Sequence, residues 1–458
     1  MSERLTEPLL THVDALRDAA LTPSARDAAL RFVRDSLGVA LSGACIESSR
    51  RLQTLWCENG SNAAGVWGSG RRCSRDQAAM LNAFAIHNQE FDCVHEPAVV
   101  HPMAVVLASL LTEADERGGV SGDVLLRAVV IAVDVAAAVG VCARAPMRFF
   151  RPAMCGALGA AAGIAVLREF DAQRLQQTLG LACSQLSGTM QAHLEGLPTL
   201  ALQIAFNARA ALTAADLAGA GLEGPRDWLE GSFGYFSLIE GEHASAPGLT
   251  LIRGATRAIE QVSHKPFPTG RAAHGTLDVL TELLRSGELH ADDVDRITLR
   301  APPLIGRLIG RPLRTGMAAS YARLCLPYLA STCLARGGVG LDDFSPAALN
   351  DARRGAYAGR ITVEANGVED DNALAPQTLL VRLRSGATLE RTREAILGAP
   401  ALPLSTARQN AKFSHCLDHA DPGFDADARA TLDCALQSLA AMADVRELAA
   451  ALQPPAGG

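Results

Sequence analysis

A chain of 458 residues that is 48% hydrophobic can bury large cores, and its length suits two or three domains. A formal net charge of −7 and a pI near 5.9 exclude the broad basic surface that nucleic acid or an anionic membrane would need. The eleven cysteines are odd in number and irregularly spaced, with no CxxC pair or zinc-finger spacing. Together with charges in MSERLTEPLLTHVDALRD, where a signal peptide needs an apolar centre, this predicts reduced thiols in a cytoplasmic protein. Every long apolar run is broken by a charge, a glycine-rich stretch or a histidine, so no membrane span is expected.

Residues 1–60 read as helices, with Ser24 a candidate N-cap ahead of AALRFVRDSLGVALSG and Gly43 near its stop. Residues 61–75 are rich in Gly and Ser and predict a loop. From 76 to 265 the chain is nearly continuous Ala, Leu, Val and Gly at helical spacing. Segments such as GDVLLRAVVIAVDVAAAVGVCARA and CGALGAAAGIAVLREF are apolar on almost every face, which in a soluble protein means buried helices whose small residues let axes approach closely.

One stretch inside that run is polar. Between Leu81 and Ala108, LNAFAIHNQEFDCVHEPAVVHPMAVVLA gathers Asp92, His95 and His101, with Glu90 and Glu96 nearby, between two apolar helical runs. Pro102 is favoured in a first helical turn, so His101 is expected to be pinned at a helix start, and Gly118-Gly119 suits the end of that helix. A histidine held there beside a carboxylate suits proton transfer, because the carboxylate fixes its tautomer and the ring titrates near neutrality. The same residues equally suit a plain helix cap and a surface polar loop.

Of 42 basic residues only Lys265 and Lys412 are lysine. Where arginine is so dominant, a remaining lysine suits work a guanidinium cannot do, such as giving up a proton. Around Lys265, HKPFPTGRAAHG reads as a structured loop between domains. The helix TLDVLTELLRSG follows, then strands in DRITLRA, GRITVEAN and TLLVRLRSGATLERTREA, the last with a Ser385-Gly386 hairpin turn, and helical segments around 317–336. The expected fold is therefore mostly α with an α+β insert: helical residues 1–265, a smaller lid at 266–395 with an antiparallel sheet, and a returning helical segment at 396–458 ending in the frayed tail PPAGG.

The succession LNAFAIHNQEFDCVHEPAVVHP, CGALGAAAG, LGLACSQLSG, AADLAGAGLEGP, LEGSFGYF, HKPFPTGRAAHGTLD, LCLPY and PLSTARQNAKF resembles the MmgE/PrpD family over nearly the whole chain. The resemblance implies a helical domain built from both chain ends, an α/β lid, a homodimer, a cleft at the domain junction, and chemistry on small carboxylates without metal or organic cofactor. It also implies the roles. Asp92 and His101 match the acidic and histidine positions of the first loop. Lys265 matches the lysine of a K-x-Y-P motif in which Phe267 replaces the tyrosine, His274 matches the following histidine, and Tyr328 falls where a site-facing tyrosine is usual. His101 is then the proton donor or acceptor, Asp92 its orienter or a second base, Lys265 a carboxylate clamp or acid, and Tyr328 and Arg271 supporting donors, with His95 and His274 as further substrate-binding candidates. Core placements for His274 and Tyr328 and a solvated charge at Arg271 are the competing readings.

Two positions depart from the family pattern. The histidine of its GFHPT-like motif falls on Phe150, or on Arg151 after a one-residue shift, and a lysine common in relatives is Leu200 here. Two polar pocket groups give way to apolar ones, which predicts a smaller or less charged acid with an apolar arm against Phe150 and Leu200, and a replacement clamp from Arg144, Arg148 or Arg151. The expected activity is a cofactor-independent lyase, a dehydratase or decarboxylase acting on a small di- or tricarboxylic acid by acid/base proton transfer; an isomerase or epimerase of a small carboxylic acid, and a degenerate binding paralogue, are the alternatives.

Overall fold

The computed structural model describes residues 3–57 and 63–454. Residues 58–62, at the join of the expected helical stretch and loop, and all but the first residue of the expected PPAGG tail lie outside them.

The chain is mostly helical with two small sheets. One apolar cluster joins Leu5–Val262 residues to Phe413, Leu417, Leu432 and Leu448, so the last helices pack on the first ones. The helices Gly122–Gly140, Arg151–Leu167 and Thr199–Gly219 are buried on most faces, as their composition requires. Gly159 shows why small residues are needed there: a Cβ on it would sit 2.2 Å from the Ala132 carbonyl oxygen. Among the described residues, no helix is long and apolar enough to cross a membrane, and all eleven cysteines are free of disulfides.

Three local expectations change. The helix Pro23–Ala44 is capped by Thr22, whose Oγ1 accepts from the Ala25 N–H at 3.2 Å, because Pro23 takes the first helical position and moves the cap ahead of Ser24. The expected loop at 61–75 contains a short antiparallel hairpin, β1 Ala64–Val66 and β2 Arg71–Cys73. The later sheet is mixed, in the order β4-β3-β5-β6, where β3 is Val294–Ala301, β4 Ile361–Ala365, β5 Gln377–Leu383 and β6 Thr388–Arg393. β4 runs parallel to β3, since the long helical connection between them provides the crossover a parallel pair needs. Period-two alternation puts Ile297, Leu299, Leu379 and Val381 on one buried face with the helices His274–Ser286 and Leu326–Arg336, forming a second apolar cluster.

The two clusters meet where the Leu81–Ala108 stretch faces the segment after Ile259. Val94 and Ser263 form an isolated antiparallel bridge, and the His264 N–H donates to the Gly398 carbonyl at 2.9 Å.

Candidate active site

The helix Arg75–His87 delivers His87 at its last residue, and the chain then turns sharply. Glu90 takes the left-handed backbone region, φ 51°, with its N–H bonded to the His87 carbonyl at 3.0 Å, a conformation that a non-glycine residue keeps only where surroundings enforce it. Three cations from distant segments do so by holding consecutive carbonyls. Arg323 Nη1 donates to Gln89 O at 2.9 Å, Lys265 Nζ to Glu90 O at 3.1 Å, and Lys412 Nζ to Phe91 O at 2.8 Å.

The carboxylate of Asp92, fully buried, is shared by two imidazoles on one oxygen: His87 Nδ1 lies 2.9 Å and His101 Nδ1 3.2 Å from Oδ2. An ionised carboxylate only accepts, so both rings donate from Nδ1. His101 is indeed the residue before the helix Pro102–Arg117, but its side chain makes no capping bond. Its Nε2 has no hydrogen-bond partner among the described residues, and the side chain keeps 13% exposure. On the other side of the carboxylates, Lys265 Nζ is 2.9 Å from Glu90 Oε2 and 3.7 Å from Asp92 Oδ1.

The electrostatics separate the two histidines. Burial, with help from Lys265, lowers the pKa of His101 against the pull of Asp92 and so favours the neutral ring. Burial acts the same way on His87, but Asp92 and Glu90 together outweigh it and raise its pKa, favouring imidazolium with Nε2 3.7 Å from Glu90 Oε1. Burial alone would raise both carboxyls. The surrounding cations win, holding Asp92 well below the usual carboxylate range and Glu90 at about 2. The group is thus an acceptor ring and a donor ring on one anion, the pairing that proton transfer needs.

His87 and Glu90 open onto a cleft of about 690 Å³ whose walls include Leu200, Arg323, Leu324 and Phe344. Phe150 lies under the same histidine, its ring centroid 5.7 Å from that of His87. Of the two apolar departures from the family pattern, Phe150 thus stands against His87 and Leu200 forms part of the wall of the cleft that His87 opens onto.

The structure brings Asp92, His101, Lys265, Phe150 and Leu200 to this region and takes five other candidates elsewhere. Tyr328 lies in the second apolar cluster, its buried hydroxyl donating to the Asp343 carbonyl at 2.5 Å. His274 is fully buried, with Nε2 3.2 Å from the Thr269 carbonyl oxygen. Arg271 is a buried latch, neither a solvated charge nor a free clamp: it pairs with Glu96 at 2.7 Å and donates to the carbonyls of His264, Ile396 and Leu397. Arg151 is engaged in a two-bond pair with Glu240, both at 3.0 Å, and so has no free fork for a substrate carboxylate in this arrangement. His95 accepts from the Ala98 N–H at 3.3 Å and faces a different cavity, lined also by Arg144 and Asn372.

His87, Arg323 and Lys412 were not singled out for the site by sequence, and Glu90 was noted only as a neighbour. His87 had one signal, a histidine closing an apolar helix five residues before Asp92. Arg323 had none.

His87, Asp92 and His101 each place a donor atom within 4.8 Å of the others, the spacing of a three-ligand metal site. The donor set fits a metal poorly, because both Nδ1 atoms converge on a single carboxylate oxygen and the Lys265 ammonium already stands 3.7 Å from the other.

Two domain models of one family match the chain: the MmgE/PrpD N-terminal domain over residues 7–246 and the MmgE/PrpD C-terminal domain over 267–437. Among curated relatives, the chain is 27% identical to the human (Homo sapiens) cis-aconitate decarboxylase over 435 residues, covering 90% of this chain and 88% of that one. It is 25% identical to the mouse (Mus musculus) cis-aconitate decarboxylase, over 90% and 86% of the two chains. It is also 24% identical to the cis-aconitate decarboxylase-like protein oryM of Aspergillus oryzae, over 84% and 85%. With both halves matched and such relatives over nearly its full length, the chain belongs to the MmgE/PrpD family and is an enzyme of the lyase type.

Proposed function

We propose that the protein is a cofactor-independent lyase that dehydrates or decarboxylates a small carboxylic acid by proton transfer at His101, with a substrate other than the citrate-derived acids. The observation that carries this reading is the shared carboxylate: one buried Asp92 oxygen holding both His87 and His101. Asp92 fixes the His101 tautomer, leaving Nε2 to take or give the proton. Lys265 balances Glu90 and Asp92, and His87 stands as a second donor for enolate-like charge in the cleft. Phe150 and Leu200 support the difference in substrate, since they remove polarity where a highly charged acid would need it. In the same reading the chain is divided at 265/266 and 395/396 into a helical domain and a lid, and works as a cytoplasmic homodimer.

The test is a panel of small carboxylic acids followed by NMR in deuterated water. Release of water or carbon dioxide supports the lyase. Label uptake with no fragment lost points instead to an isomerase or epimerase, and ligand-dependent melting shifts without turnover to a binding protein.

A further inference from the structure

Three arginines are almost completely buried, and their surroundings differ. Arg151 at 1% exposure has Glu240, and Arg271 at 4% has Glu96. Arg323, also at 4%, has no carboxylate within 4.0 Å among the described residues. A buried cation without a counter-anion is costly, so a fold that keeps one leaves a place for an anion. Its hydrogen bonds show where. Nη1 is used by the carbonyls of Gln89 and Pro268, both at 2.9 Å, and the guanidinium lies 4.0 Å from the Phe344 ring centre. Nε and Nη2 have no partner among the described residues, and this two-donor edge is the one that accepts a carboxylate in a fork. Burial pushes its pKa down to about 9, in keeping with a charge that lacks its partner.

Arg323 is also the one lysine or arginine among the described residues lining the 690 Å³ cleft, whose wall also carries Glu47, Glu90 and Asp342, each paired with a cation of its own (Arg51, Lys265 and His419), and the apolar Leu197, Leu200 and Leu324. Lys265 is already paired with Glu90. We propose that Arg323 is the substrate's carboxylate anchor and that the cleft selects an acid with a single carboxylate and an apolar arm. This rests on reading the cleft as the active site. A polycarboxylate would bring second and third charges beside Glu47, Glu90 and Asp342, where the histidines that line the same cleft, His87 and His419, are already held by carboxylates, His87 by Asp92 at 2.9 Å and His419 by Asp342 at 2.8 Å.

The experiment measures binding by calorimetry and thermal shift on the full chain, with hexanoate, hexanamide, succinate and cis-aconitate as probes. The wild type is expected to bind hexanoate in preference to succinate and cis-aconitate, and to lose about 10- to 100-fold on going to the amide. Arg323→Gln should lose a similar factor for hexanoate and no longer separate acid from amide, while Arg323→Lys recovers part of that loss. No hexanoate binding by the wild type, tighter binding of cis-aconitate, equal binding of acid and amide, or an Arg323→Gln protein that binds hexanoate normally would each overturn the proposal. The wild-type comparisons decide it even if the variant does not fold. His101→Ala keeps the hexanoate affinity if the anchor is right; turnover surviving in that variant would instead defeat the proton-transfer reading and leave the anchor standing.

Discussion

The two lysines of this chain occupy similar settings and do different things. Both are buried, and both donate to neighbouring carbonyls of the same turn, Lys265 to Glu90 and Lys412 to Phe91. Lys412 spends its charge on Asp35 at 2.7 Å and on the face of Phe91, 4.3 Å from the ring centre, and so ties the helix Thr406–Asp418 to Pro23–Ala44. Lys265 faces Glu90 and Asp92, whose other contacts are two imidazoles of opposite protonation tendency. Residue type and burial do not separate a structural ammonium from a chemical one; the groups beside its counter-ion do.

The comparison can be broken at several points. His101→Ala should lower kcat by about 10²- to 10⁴-fold, the usual share of a proton-transfer group, with little change in Tm. An equal loss of Tm would make His101 a packing residue. Next come the lysines themselves. Removing either partner of a buried ion pair costs about 3–5 kcal/mol, so Lys265→Met and Lys412→Met should both melt early. They diverge in activity measured below both melting points, where Lys412→Met turns over nearly as the wild type does and Lys265→Met does not. Identical kinetics in the two variants would erase the distinction.

The pH profile of kcat/KM is expected to be bell-shaped. Its acid limb lies below 6.5, where His101 must lose its proton, and its alkaline limb above 6.5, where His87 loses its own. His87→Ala should remove the alkaline limb and keep the acid one. The last effect concerns stability. His95, His193 and His264 are held by burial at about 4, below an ordinary 6.5. The unfolded chain takes up protons on them near pH 6.5 and the folded chain only near 4, so Tm should fall as pH drops through that window. A flat Tm between pH 6.5 and 4 would contradict it.

The helical nature of the chain and the strands after residue 290 were legible because periodicity is local. The parallel placement of β4 was not, since a strand's pattern says nothing about its neighbour's direction. In the site, Asp92, His101 and Lys265 stood out as polar residues in unusual surroundings. Tyr328 and His274 looked equally apt, but where a buried hydroxyl or ring finds its partner is decided by tertiary packing, here Asp343 and Thr269. His87 was hidden in an apolar helix, and Arg323 among many arginines. What marks Arg323 is an absent counter-ion, which only coordinates can show.

The fan of cations on Gln89, Glu90 and Phe91 has a kinetic corollary. Its members come from residues 265, 323 and 412, the last of them 321 positions away from its acceptor, so the turn is seated only after the middle and the end of the chain have both docked. Contacts so remote along the chain close late. On dilution from denaturant, ellipticity therefore returns first and catalytic competence last, the lag between them measuring how slowly these three tethers are made.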